Sequence, residues 1–141
     1  MMTNGRARGT YTLLIELAEE VEIRVGALGV REFPRGWYAY TGSAFGSGGF
    51  SRIDRHRRVA SGTHDVRHWH IDRLLGHAAT RIESVATSVG ADVECAVARA
   101  LPGDPVPGFG ASDCGCEAHL AYAAERSVLA DAIDRAHAGR V

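Results

Sequence analysis

The sequence predicts one α+β domain whose strands form an antiparallel or mixed sheet, and three observations lead there. Runs rich in β-formers recur at 10–17, 21–25 and 37–42 on short connections, which disfavours a βαβ repeat. From residue 50 onward helix-period segments take over, broken at 61–65 and ended at Gly76. The 141 residues, 45% hydrophobic and 23% charged, are enough for a single globular core.

Residues 1–8 are polar and glycine-containing, a loose leader to a domain spanning 9–141. The strand at 10–17 is followed by a tight turn at Ala18-Glu19-Glu20 and by a second strand, 21–25, that alternates apolar and charged residues. These two runs read as a hairpin. Residues 26–36 are a connection with Pro34 and a short edge segment, and 37–42 is the next strand. Helices are expected at 50–60 and 66–75, then a strand within 78–89 on the alternation of Ile82, Val85 and Val89. A short helix at 92–101 would be capped by Asp92 and stopped by Pro102-Gly103. Residues 104–115, rich in glycine and proline, read as a loop, and 119–123 as a last short strand. Leu129, Ile133 and Ala136 form the apolar stripe of a closing helix with Ser127 as its cap.

Composition excludes several classes. No apolar run approaches the roughly 18 residues of a membrane span, and the N-terminus lacks an apolar signal region, so a cytoplasmic protein without membrane contact is expected. Cys95, Cys114 and Cys116 do not resemble a disulfide framework. The net charge of −1 gives no global basic field, yet residues 52–81 hold seven arginines against three aspartates and five of the seven histidines. All sixteen basic residues are arginine, which rules out lysine chemistry.

Several side chains in this frame can carry chemistry. Tyr11 and Tyr40 lie next to glycine-bearing strand ends; phenols so placed serve as core or handle protons. Arg52 keeps its charge and can stabilise a developing phosphate anion, and His56, one turn on, shares its helix face and can shuttle a proton. A solvated basic helix would carry the same pair. Arg55, Arg57 and Arg58, with His68 and His70 further on, offer a DNA-contacting surface. Glu94 stands in a mostly apolar turn, where a carboxylate needs a partner or a metal; in an exposed first turn it would instead favour the helix dipole. Cys114, Cys116 and His119 offer a zinc site if Cys95, His68 or His70 completes it. Cys-x-Cys is tighter than the usual zinc spacing, and reduced, partly buried thiols are the alternative.

Taken together these residues resemble the GIY-YIG nuclease superfamily, with Gly9-Thr10-Tyr11 as its first motif, Tyr40-Thr41-Gly42 as its second, and Arg52, His56 and Glu94 in order behind them. A prokaryotic subfamily named as a domain of unknown function, DUF123, is resembled more closely. The likeness runs through 38–44, Trp69-His70-Ile71-Asp72, Glu94-Cys95, Phe109-Gly110, 112–116 and His119-Leu120, and covers about residues 9–123. The resemblance implies a small α/β (α+β) domain with a central, mainly antiparallel three-stranded sheet flanked by helices, the 21–25 strand being an extra hairpin strand. It also implies phosphodiester hydrolysis with one Mg²⁺ or Mn²⁺ on Glu94. Tyr11 would be the general base, Arg52 the stabiliser of the transition state, and Tyr40 and His56 would orient water or phosphate. Two departures stand out: 28 residues separate the two tyrosines, where a short hairpin is common, and threonine replaces the usual isoleucine in both motifs. The expected function is a DNA endonuclease, structure-specific and linked to repair. The alternative is a non-catalytic DNA-binding module that guides a partner repair enzyme.

Overall fold

The computed structural model describes residues 8–25, 29–45, 49–62, 70–106 and 119–138. In chain order these form β1 (Gly9–Leu17), β2 (Val21–Arg24), β3 (Val30–Phe33), β4 (Gly36–Ser43), α1 (Ser51–Ser61), α2 (His70–Leu75), β5 (Thr80–Val89), α3 (Glu94–Ala100), β6 (Asp104–Pro105), β7 (Leu120–Ala123) and α4 (Arg126–Ala138). The fold is a mixed α+β arrangement around a five-stranded antiparallel sheet, ordered β5-β1-β4-β7-β6, with β2 and β3 as a separate ribbon.

β1 decides this topology. Eight of its nine residues are buried, so both its faces must be covered and both its edges paired. It pairs along nearly its whole length with β4 on one side and β5 on the other. The four-residue β2 could not satisfy such an edge. The expected hairpin of 10–17 with 21–25 is therefore not formed; β2 turns back on β3 instead, Val21 opposite Phe33 and Arg24 opposite Val30. The three-stranded sheet becomes five-stranded, because β7 adds to β4 and the two-residue β6, inside the expected loop, adds to β7.

Side chains on the two faces of β1 enter different cores. Tyr11, Leu13, Ile15 and Leu17 pack with Val59 of α1 and with Ile71, Leu74 and Leu75 of α2. Leu14 packs on the other face with Ala39 of β4 and with Leu129 and Ile133 of α4. That second face turns polar toward the start of β1. Thr12 Oγ1 lies 3.0 Å from Thr41 Oγ1 and 2.8 Å from His137 Nε2, while His137 Nδ1 lies 2.8 Å from Ser88 Oγ. Two adjacent strands, β1 and β5, thus grip one buried histidine near the end of α4, and Thr41 of β4 backs Thr12.

Helix ends depart from the expected caps in two places. α3 starts after Val93, with no side-chain cap among the described residues, so Asp92 does not cap it. Val93 N–H donates instead to Thr10 Oγ1 at 3.0 Å. Ser127 falls within α4, which already starts at Arg126. α1 ends as glycine allows, with Gly62 in the left-handed region (φ 84°) and its N–H returned to Arg58 and Val59. No helix among the described residues is long and apolar enough to cross a membrane.

α1 and α2 are joined by charge. Arg55 donates from both terminal nitrogens to Asp72, each at 2.9 Å, and the Asp72 side chain is fully buried. Removing the guanidinium would leave a buried carboxylate without its fork. Arg55→Leu is expected to destabilise the fold by about 3–5 kcal/mol in urea denaturation. A denaturation midpoint equal to wild type would show that the pair does not hold the helices together.

Candidate active site

The centre of the site is a phenol lying across a glycine. Tyr11 of β1 and Gly42 of β4 are direct cross-strand partners. A Cβ on Gly42 would fall 2.5 Å from the Tyr11 hydroxyl oxygen, closer than any real contact. Gly9 is constrained in the same way, since its Cβ would meet the Ser88 carbonyl oxygen at 2.1 Å. Both motif glycines are therefore required by close approach. The two threonines point to the other face, where each forms hydrogen bonds that isoleucine could not. Thr10 Oγ1 donates to the Ala91 carbonyl at 2.8 Å and accepts from Val93, tying β1 to the start of α3, and Thr41 joins the Thr12–His137 cluster.

Tyr11 reaches past Gly42 to the buried face of α1, where its hydroxyl lies 2.8 Å from His56 Nε2. Tyr40, two residues before Gly42 and so on the same face, meets the His56 ring edge to face at 6.0 Å and 77°. Arg52, one turn before His56, donates from a terminal nitrogen to the Ser43 carbonyl at 2.9 Å, so the end of β4 holds it beside the phenols. Glu94 opens α3, half-buried, where the first turn also favours its charge. Tyr11, Tyr40, Arg52, His56 and Glu94 are thus brought together.

Their electrostatics follow from burial. Burial raises the Tyr11 phenol well above its ordinary value; neighbouring Tyr40 adds to the rise and Arg52 opposes it. Tyr40 is also raised, first by burial and then by the negative charge of Glu94. Burial pushes the His56 imidazole down to about 4; Asp72 opposes this, and the positive charges of Arg55 and Arg52 add to it. The site at neutral pH therefore holds two protonated phenols and a neutral imidazole.

The other expected site residues are divided. Arg57 and Arg58 face solvent on α1, whereas Arg55 is directed to Asp72. His68, Cys114 and Cys116 lie outside the described residues, as does the side chain of His70. Cys95 is disulfide-bonded, which corrects the expectation of reduced thiols at this position and removes Cys95 as a zinc thiolate. His119 is turned to Glu94, its Nδ1 lying 3.2 Å from Oε2. Among the described residues, no three His, Cys, Asp or Glu side chains gather where they could hold a metal. A lone carboxylate still fits a hard divalent cation that keeps most of its own water. Sequence reasoning missed two partners, the Ser43 carbonyl for Arg52 and His119 for Glu94. Neither leaves a spacing signal, because both contacts depend on strand register.

The model of a family described as a domain of unknown function, DUF123, matches residues 10–140. The chain belongs to this family. Neither a curated protein nor a solved structure matches it. The DUF123 match reaches every described strand and helix, including α4, which lies beyond the residues carrying the motifs.

Two outcomes follow for the DUF123 chain. Gly42→Ala forces the Tyr11 ring off the strand, and is expected to cost about 1–3 kcal/mol of stability, measured by thermal or urea unfolding. A fully stable variant would refute the close contact. For His56, the unfolded imidazole protonates near 6.5 and the folded one near 4, so the unfolded state binds more protons between those values. Its contribution to stability is complete above about pH 6.5 and is lost toward pH 4, with a slope of up to about 1.4 kcal/mol per pH unit. Urea midpoints for wild type and His56→Gln over this range should diverge in slope; parallel curves would contradict a buried neutral imidazole.

Proposed function

We propose that this DUF123 chain is a DNA endonuclease of the GIY-YIG kind, hydrolysing phosphodiester bonds with one Mg²⁺ or Mn²⁺. The observation that carries this reading is the Tyr11–His56 hydrogen bond of 2.8 Å, set beside Arg52 and Glu94. A buried phenol with a raised pKa is scarcely ionised at neutral pH, so it does not act through a standing phenolate. Bonded to His56 Nε2, it can take a proton from water as its own proton passes to that nitrogen. Burial and the nearby arginines oppose this transfer, and the negative charge of a bound phosphate would favour it. The water oxygen then forms its bond to phosphorus, the P–O bond to the departing sugar oxygen breaks, and solvent supplies that oxygen with a proton. Arg52, permanently charged and held by the Ser43 carbonyl, stabilises the negative charge that builds on the phosphoryl oxygens. Tyr40 presents its hydroxyl to the same place and orients water or phosphate. Glu94 would hold the cation, which supplies Lewis-acid polarisation of the phosphate when bound. The exposed Arg57 and Arg58 on α1 would meet the DNA backbone, and branched repair intermediates are the proposed targets.

Labelled duplex, single-stranded, flap and branched DNAs with Mg²⁺ or Mn²⁺ test this reading. Wild type is expected to cut, and Arg52→Ala and Glu94→Ala to cut at least about 100-fold more slowly while melting like wild type. Cleavage by both variants at the wild-type rate would sink the mechanism. Salt-sensitive binding by all three proteins with no cutting would establish the binding module instead.

A further inference from the structure

His119 is almost fully buried, at 2% exposure, yet carries two polar ring atoms. Its main chain belongs to the sheet. The His119 carbonyl accepts from Thr41 N–H at 2.9 Å, and the next residue, Leu120, pairs with Tyr40. Its ring belongs to α3. Nδ1, a buried ring nitrogen, faces Glu94 Oε2 at 3.2 Å without the alignment of a hydrogen bond, and Nε2 lies 3.9 Å from Cys95 Sγ. One imidazole therefore spans from the strand carrying Tyr40 to the first turn of α3.

The glutamate needs such a partner. Glu94 opens a helix of only seven residues that no side chain caps among the described residues. Its long side chain would lose rotamer freedom on binding any ligand. A carboxylate with a ring nitrogen facing one of its oxygens loses less, and ligating carboxylates are commonly oriented in this way by groups that do not touch the metal.

We propose that His119 is a positioning residue for Glu94: its ring holds Oε2 and leaves Oε1 available to the divalent cation. This inference rests on the endonuclease reading, which places the cation on Glu94. The contact uses Nδ1, which distinguishes a positioning role from simple filling of space. Asparagine can place an amide nitrogen near the position of Nδ1, whereas glutamine places it near Nε2.

The test is Mn²⁺ binding to DNA-free protein, followed by loss of the free-ion electron paramagnetic resonance signal. Wild type, Glu94→Gln, His119→Asn and His119→Gln are compared, with a melting curve for each. The expected results are binding by wild type, loss in Glu94→Gln, near-wild-type affinity in His119→Asn, and a fall of about 10–100-fold in His119→Gln. Wild-type affinity in His119→Gln, with Glu94→Gln still defective, overturns the positioning role alone. Equal losses in the asparagine and glutamine variants, with equally lowered melting, also overturn it and reduce His119 to packing. Failure of wild type to bind Mn²⁺, or unchanged binding by Glu94→Gln, overturns the metal assignment and the inference with it.

Discussion

A tyrosine ring can lie across a neighbouring strand only where that strand has no side chain. The Tyr11–Gly42 contact meets this condition, and the rest of the site depends on it. The absent Cβ lets the phenol reach through to α1, where His56 receives it. The same strand end accepts Arg52 at Ser43, and its preceding residues align with β7, which brings His119 to Glu94. Strand pairing thus sets the separation of groups that lie far apart in the chain.

The two faces of β1 divide the labour. One face carries Tyr11 into a dry environment that keeps the phenols protonated and His56 neutral. The other carries Thr10 and Thr12, whose hydroxyls fasten α3 and α4 to the sheet. Threonine at positions 10, 12 and 41 is consistent with this division. A β-branched residue is kept for the strand, and a hydroxyl is added where a helix must be held.

Much of this was legible in the sequence. The β1, β4, β5 and β7 runs, the helix at 51–61 and the Arg52–His56 face follow from periodicity and glycine placement, because those signals are local. The sheet order was not. Alternation in 21–25 shows a strand with one covered face but does not show which partner it takes, and only the two-sided burial of β1 excludes the nearest one. Arg55 illustrates the same limit. An arginine among arginines reads as a phosphate contact until the tertiary fold places Asp72 beneath it. His119 read as a metal ligand from its neighbouring cysteines, while its observed partner stands 25 residues earlier, on another element. Residue type announced chemistry, but pairing register assigned it.

The clasp around His137 has a consequence for how the molecule is made. Its ring joins Thr12 across 125 positions of chain and Ser88 across 49, so the first described strand is completed by the last described helix. As the chain leaves the ribosome, the hydroxyls of Thr12, Thr41 and Ser88 face a side of the sheet that remains wet until α4 arrives. The Thr10 hydroxyl that anchors the start of α3 lies at that same end of β1. Synthesis from the N-terminus therefore delivers both tyrosines long before the sheet that carries them is sealed. Strand pairings of such long range fold slowly, and the late closure leaves Tyr11, Tyr40 and His56 without a firm scaffold until the whole domain is present.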